Sequence, residues 1–204
     1  MHAQADKRAG HCQIRDYTRT YILGATINHR GTSVTFSFGQ ASLQRQHHVD
    51  PRLFGVGVAA LARCDVDFGA TENQSRTAAE QQKKFDDGFS KVKPGPDARH
   101  MIQPDGFSKA VDYVPWIDGK FQWGDAQWRV TRSDGVIVLP FHQISVAMRS
   151  AAIEKGVAIR WGAVWDRRLN DLPPTVEGLA QEIEAYKVRH AGSDFLDGPH
   201  FELI

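Results

Sequence analysis

Apolar residues recur along this chain at two spacings, and the points where the period switches divide it into elements. Val34-Thr35-Phe36-Ser37-Phe38 alternates as a half-buried strand does, and Gly39 ends it. A short helical piece around Ser42 to Arg45 follows. Asp50-Pro51 then opens a helix, with Asp50 as N-cap, Pro51 in the first turn, and Leu53, Val56, Ala60 and Leu61 at helical spacing toward Arg63. Gly55 and Gly57 each weaken that helix by roughly 1 kcal/mol relative to Ala, so packing must hold it. Val66 to Thr71 is a strand leading into a loop, and Thr77-Ala78-Ala79-Glu80 has the form of a capping box, placing Arg76 at a strand-to-helix junction.

Asp86 to Pro96, rich in Gly and Pro, is a surface loop that ends near His100. Ala110 to Val114 alternates and stops at Pro115, with Ala110, Asp112 and Val114 on one face and Val111 and Tyr113 on the other. A carboxylate among small apolar neighbours needs a partner. Trp116 to Arg132 reads as an elaborated hairpin or a lid over a site. A helix with Ile144, Ala147, Met148, Ala151 and Ala152 on one stripe closes at Gly156, and Val157 to Gly162 is a buried strand. Pro173-Pro174-Thr175 caps a last helix with Val176, Leu179, Ala180, Ile183 and Tyr186 inward, and Phe195 to Ile204 returns as the final strand. No repeat interrupts this order. Short strands mixed with separate helices predict an α+β domain over 34–204, with residues 1–33, basic and without a period, as a poorly ordered extension.

Composition excludes more than it suggests. Across 204 residues, 24% charged side chains sum to a formal net charge of +1, which gives no electrostatic case for nucleic acid. No run approaches the ~18 apolar residues of a membrane span, and Tyr21 to Ala25 is too short for the core of a signal peptide. The expectation is a protein made in the cytosol without stable membrane insertion. Cys12 and Cys64 form neither a zinc ribbon nor a disulfide framework, so metal chemistry here must use His and carboxylates. Nine histidines leave enough candidates.

The stretch with the clearest chemistry is Asp197-Gly198-Pro199-His200-Phe201-Glu202-Leu203-Ile204. It sets a carboxylate three residues before a histidine, across a Gly-Pro turn that leads into an alternating strand. Together with Ala98-Arg99-His100, Ser108 to Pro115 and Trp161-Gly162-Ala163-Val164-Trp165-Asp166, in that order, it resembles the zinc D-Ala-D-Ala carboxypeptidase family. More narrowly it resembles that family's phage endolysin branch, the L-alanyl-D-glutamate endopeptidases. The likeness extends upstream through Val66 to Glu72 and Ser75 to Gln82.

The resemblance implies that His100, Asp112 and His200 bind Zn²⁺, that a water takes the fourth position, and that Asp197 is the general base. Arg76 matches the family's arginine that holds a substrate carboxylate, a task suited to a planar fork of donors. The implied fold is a small antiparallel sheet backed by helices, similar to that of these peptidases and the Hedgehog signalling domain. The family's compact motif S-x-H-x-x-G-x-A-x-D is departed from, with Ala98 for Ser, Ser108 for Gly, and twelve positions instead of seven between His100 and Asp112. The extra residues fall in Met101 to Phe107, where Pro104 and Asp105-Gly106 form turns that absorb them. Capping or packing, not ligation, is the reading for His142; Trp161 and Trp165 read as wall and core. Glu202 either stands behind the metal ligands or is exposed.

The implied activity is hydrolysis of the L-Ala-D-Glu bond of the peptidoglycan stem peptide by a monomeric phage lysis enzyme that reaches the wall with a holin-type helper. A D-Ala-D-Ala carboxypeptidase or dipeptidase, with the same metal set and a different pocket, is the alternative within the class. A non-catalytic zinc-binding interaction domain is the alternative outside it, and a carboxylate base at Asp197 speaks against that.

Overall fold

The structure, a computed structural model, describes residues 35–192 and 195–204; the expected extension over 1–33 lies outside the described residues. Five helices form where capping and apolar spacing predict them: α1 (Gln40–Arg45), α2 (Pro51–Leu61), α3 (Ala78–Asp86), α4 (Pro140–Glu154) and α5 (Val176–Arg189). Asp50 caps α2 by accepting from the Arg52 N–H, Thr77 and Glu80 close a reciprocal capping box on α3, and Thr175 caps α5 through the Gly178 N–H. The strands are β1 (Asp67–Gly69), β2 (Ala110–Asp112), β3 (Val114–Ile117), β4 (Lys120–Phe121), β5 (Val130–Thr131), β6 (Ile137–Val138), β7 (Ile159–Trp161), β8 (Val164–Arg168) and β9 (His200–Leu203). They pair antiparallel throughout, as a four-stranded sheet in the order β2-β9-β7-β8, a three-stranded sheet β1-β3-β4 and the hairpin β5-β6. This is the α+β architecture that the alternation of short strands and helices predicts.

The four-stranded sheet has two unlike faces. Val111, Phe201, Leu203, Ile159 and Trp161 share the face that packs into the apolar core, where the buried stripes of α2 (Leu53, Val56, Ala60, Leu61) and α4 (Ile144, Met148, Ala151, Ala152) lie. Ala110, Asp112, His200, Glu202 and Arg160 alternate onto the opposite face, where polar chemistry collects. Gly57, which propensity alone marks as a weak point of α2, sits where a Cβ would fall 1.9 Å from the Tyr113 hydroxyl oxygen. The missing side chain is the space in which Tyr113 lies buried and donates to Gln46 Oε1 at 2.7 Å.

Three expectations are corrected. Residues 35–38 do not pair as a strand, although their alternation is real: Phe36 and Phe38 are partly buried, and Phe38 packs against Phe54, Phe68 and Tyr113. Alternation reports which side is buried and not whether a sheet edge is available. The run from Ala110 does not stop at Pro115; the chain leaves β9 at Tyr113, whose N–H donates to the Pro199 carbonyl, and continues as β3 in another sheet. Pro115 is tolerated there because it still accepts, from the Gln122 N–H. The final strand is confined to His200–Leu203, and β8 is an element that the sequence reading did not anticipate.

Candidate metal centre

Register brings the site together. Asp112 on β2 and His200 on β9 are directly opposite, so their side chains leave the same face as neighbours. His100 arrives from the loop before β2, anchored because its carbonyl accepts from the Arg76 N–H at 2.7 Å while the Ile102 N–H donates to the Arg76 carbonyl. The insertion between the two ligands is absorbed as the turn formers predict: Gly106 adopts φ 87°, its N–H donates to the Gln103 carbonyl, and the Gln103 N–H donates to the Phe107 carbonyl. His100, Asp112 and His200 thereby form a group able to hold a metal ion.

The three facing atoms make a nearly equilateral triangle. His100 Nε2 lies 3.2 Å from His200 Nδ1 and 3.3 Å from Asp112 Oδ1, and His200 Nδ1 lies 3.2 Å from the same oxygen. Donors about 2.0–2.1 Å from a tetrahedral ion stand about 3.3–3.4 Å apart, so the triangle has the dimensions of three corners of such a shell. The outer bonds fix what those atoms are. His100 Nδ1–H donates to the Gln74 carbonyl at 3.0 Å, and His200 Nε2–H donates to the Glu202 carboxylate at 3.1 Å. In the neutral rings the inward nitrogens therefore carry lone pairs, and two lone pairs and a carboxylate oxygen converge on one point. Only a cation makes that arrangement stable.

Electrostatics agree. Burial opposes charge on His200, but hydrogen bonds to Asp112 and Glu202 raise its pKa to about 10 when a proton is the only cation. Burial would likewise raise the Asp112 carboxyl, yet the His100 and His200 rings hold it well below the usual range. Glu202, also buried, is lowered to about 2 by His200 and by Arg160, which stands opposite it on β7 and donates to it. Arg160 is itself held by the Trp165 carbonyl and lies over the Trp165 ring. Glu202 thus sits behind His200, bonded to the nitrogen that points away from the triangle, and the exposed alternative for it is excluded.

Asp197 is placed differently. Its backbone opens a turn in which the His200 N–H reaches back to the Asp197 carbonyl, and Gly162 clamps that turn from both sides, accepting from the Asp197 N–H and donating to the His200 carbonyl, each at 2.9 Å. A Cβ on Gly162 would fall 2.4 Å from the Asp197 carbonyl oxygen. The Asp197 carboxylate is outside the ligand triangle. Burial and the Asp112 charge raise its pKa, while His200, His100 and Arg76 pull it down. Arg76 Nη2 stands 3.9 Å from Asp112 Oδ2, with the guanidinium also bonded to Glu72 and Gln81.

His142 is core: wholly buried, bonded through neither ring nitrogen, and packed against Trp128 and Trp161. Burial lowers its pKa to about 4. Trp161 is buried and Trp165 lies tilted against the His200 ring, 5.1 Å between centroids, so core and wall are their respective places. Sequence reasoning missed Gln74, whose carbonyl orients His100 and whose Oε1 accepts from the Asp112 N–H at 2.6 Å. Its signal was positional, since it lies between the two upstream stretches that carry the resemblance. Arg160 was missed too; only strand pairing places it against Glu202.

The sequence model of a family described as phage L-alanyl-D-glutamate peptidase matches residues 34–204. Among solved structures, an L-Ala D-Glu endopeptidase of Serratia marcescens, ChiX, is similar with a TM-score of 0.53 and 25% identity, over 83% of this chain and 91% of that one. Among curated proteins there is no significant match.

Proposed function

The chain belongs to the phage L-alanyl-D-glutamate peptidase family, and from that premise we propose that it hydrolyses the L-Ala-D-Glu bond of the peptidoglycan stem peptide. The observation that carries the reading is the convergence of two fixed imidazole lone pairs and one carboxylate oxygen within 3.3 Å. Zinc suits this set, because two neutral nitrogens and one carboxylate would leave it net positive, and bound there it would polarise a carbonyl and acidify a water.

His100, Asp112 and His200 hold the ion. Gln74 and Glu202 keep the two rings in the tautomers that ligation needs. Asp197, raised by burial and by the Asp112 charge but not bonded into the triangle, takes the proton of the attacking water and returns it to the leaving amine. Arg76, braced by Glu72 and Gln81 beside Asp112, binds a carboxylate of the stem peptide. The peptidase unit is residues 34–204 and acts as a monomer, so a chain begun at residue 34 keeps the activity. Among the described residues no helix is long and apolar enough to cross a membrane; access to the wall from the host cytoplasm falls to a holin-type helper.

Mass spectrometry of the fragments released from purified peptidoglycan tests this. Peptides with a new N-terminal D-Glu are expected; release of free D-Ala alone would assign a carboxypeptidase instead.

A further inference from the structure

Among the described residues none hydrogen-bonds the Asp197 carboxylate, so its place beside the ligand triangle has to come from the backbone turn that carries it. What fixes the turn is visible at Gly198. On one side the buried Trp161 donates its Nε1–H to the Gly198 carbonyl at 2.7 Å. On the other the indole of Trp128 lies so close that a Cβ on Gly198 would fall 2.9 Å from its Cδ2 and Cε2. The residue that follows Asp197 is therefore held by two indoles from separate parts of the chain.

Trp128 reaches that position at a conformational cost. It ends a short 3-10 turn (Ala126–Trp128) in which Gln127 and Trp128 both adopt the left-handed region, φ 56° and 57°, unfavourable for side chains of that size. The turn is tied at its base by Asp125, whose carbonyl accepts from the Trp128 N–H and whose carboxylate accepts from the Arg129 N–H. Gly124, at φ 74°, leaves the space that the Trp128 backbone occupies, since a Cβ there would lie 2.7 Å from the Trp128 carbonyl carbon. The indole is seated among the rings of Phe141, His142 and Trp161, with centroids 5.8 to 6.2 Å away. Strain of this kind persists only where the surroundings over-determine it, and here the surroundings direct one side chain at the turn that carries Asp197.

We infer that Trp128 is a positioning residue for hydrolysis, a buttress from the segment between β4 and β5 that presses on Gly198 and so sets where Asp197 presents its carboxylate. The inference rests on the reading of Asp197 as the base. Trp128 is not one of the candidate ligands, so its loss is expected to spare the metal and fall on turnover. A general base tolerates little displacement, and a shift of about 1 Å can cost about 10²-fold in rate.

The test uses the full chain, loaded with zinc and assayed on soluble muropeptides. Trp128→Ala is expected to lower kcat by about 10- to 100-fold with KM within about twofold and zinc stoichiometry unchanged, and Trp128→Phe, which keeps a ring on Gly198, to recover most of the loss. Gly198→Ala approaches the same contact from the other side: it should reduce kcat in the natural background and add little in the Trp128→Ala background, because the two changes break one interaction. Wild-type kcat in both Trp128→Ala and Gly198→Ala, beside an inactive Asp197→Asn, overturns the positioning role alone. Zinc loss in parallel with kcat, without rescue by Trp128→Phe, also overturns it, in favour of general structural support. An Asp197→Asn enzyme at full rate overturns the base assignment itself.

Discussion

The two halves of the site are held by opposite means. At the ligand half the neighbouring groups are hydrogen-bonded: His100 to Gln74, His200 to Glu202, the Asp112 N–H to Gln74, and Glu202 in turn to Arg160. At the base half, the Asp197 carboxylate is shaped by burial and by the charges around it, and its turn is held through backbone bonds to Gly162 and the packing of Trp161 and Trp128 on Gly198. The difference matches the work proposed for each half. A ligand keeps one protonation state and gains from every bond that fixes it, whereas a base must accept and release a proton, which donors locked onto its oxygens would oppose.

The largest effect expected is at the ligand half. Changing His100, Asp112 or His200 to Ala should abolish zinc retention and bring activity to background, checked by metal analysis after reconstitution. A wild-type protein that itself takes up no zinc would end the comparison. Next comes Asp197→Asn, which should keep zinc and fold while kcat falls by about 10²–10⁴-fold; zinc loss in this variant would move Asp197 among the ligands.

Glu202→Gln sharpens the contrast, because Glu202 competes with Asp197 for the role of base on strand alternation alone. Since Glu202 bonds the outward nitrogen of His200, the expected result is about 10–100-fold weaker zinc binding in chelator competition, with turnover largely restored at saturating zinc. An inactive Glu202→Gln enzyme at full zinc occupancy, beside an active Asp197→Asn, would reverse the assignments.

The last effect is on stability, not turnover, and belongs to the packing behind the proposed base. His142 takes up a proton at about 4 in the folded protein, against 6.5 for the free side chain. The unfolded chain therefore binds this proton first. Stability from this group is constant above pH 6.5, declines as pH falls toward 4, and levels off below, by roughly 3 kcal/mol in all. With zinc removed from both proteins, denaturant titrations should show that His142→Phe lacks this part of the acid decline; parallel curves would mean that His142 is solvated.

Much of this was legible in the sequence. Asp50, Thr77 and Thr175 announce their helices because capping is a local property, and the spacing of apolar residues on α2, α4 and α5 reports burial directly. The placement of Asp112 and of the residues around His200 was readable from motif order. What stayed hidden depends on register. Nothing in the sequence around Arg160 says that it faces Glu202, and nothing near Gln74 says that its backbone and side chain serve two ligands. The strand expected at 34–38 is not formed over the described residues, since pairing requires a partner edge that alternation does not report. Trp128 was visible only as one of several aromatics in an irregular segment, because its importance lies in a contact with Gly198.

The pairing of β2 with β9 would also make an ion bound there a fastener of the chain's path. Held by His100, Asp112 and His200, it would close loops of 88 and 100 residues, and a ligand that binds only the closed form keeps it closed by mass action. β9 is clasped between β2 and β7 by strand pairing, and its first residue, His200, is where the metal would add its hold. Stripping the metal should thus loosen the β2–β9 pairing ahead of the rest: amide hydrogen exchange should accelerate at Phe201 to Leu203 while α2 and α4 stay protected, and uniform acceleration would deny the fastener. On these terms an ion that would equip the enzyme for hydrolysis would also guard the fold against unzipping.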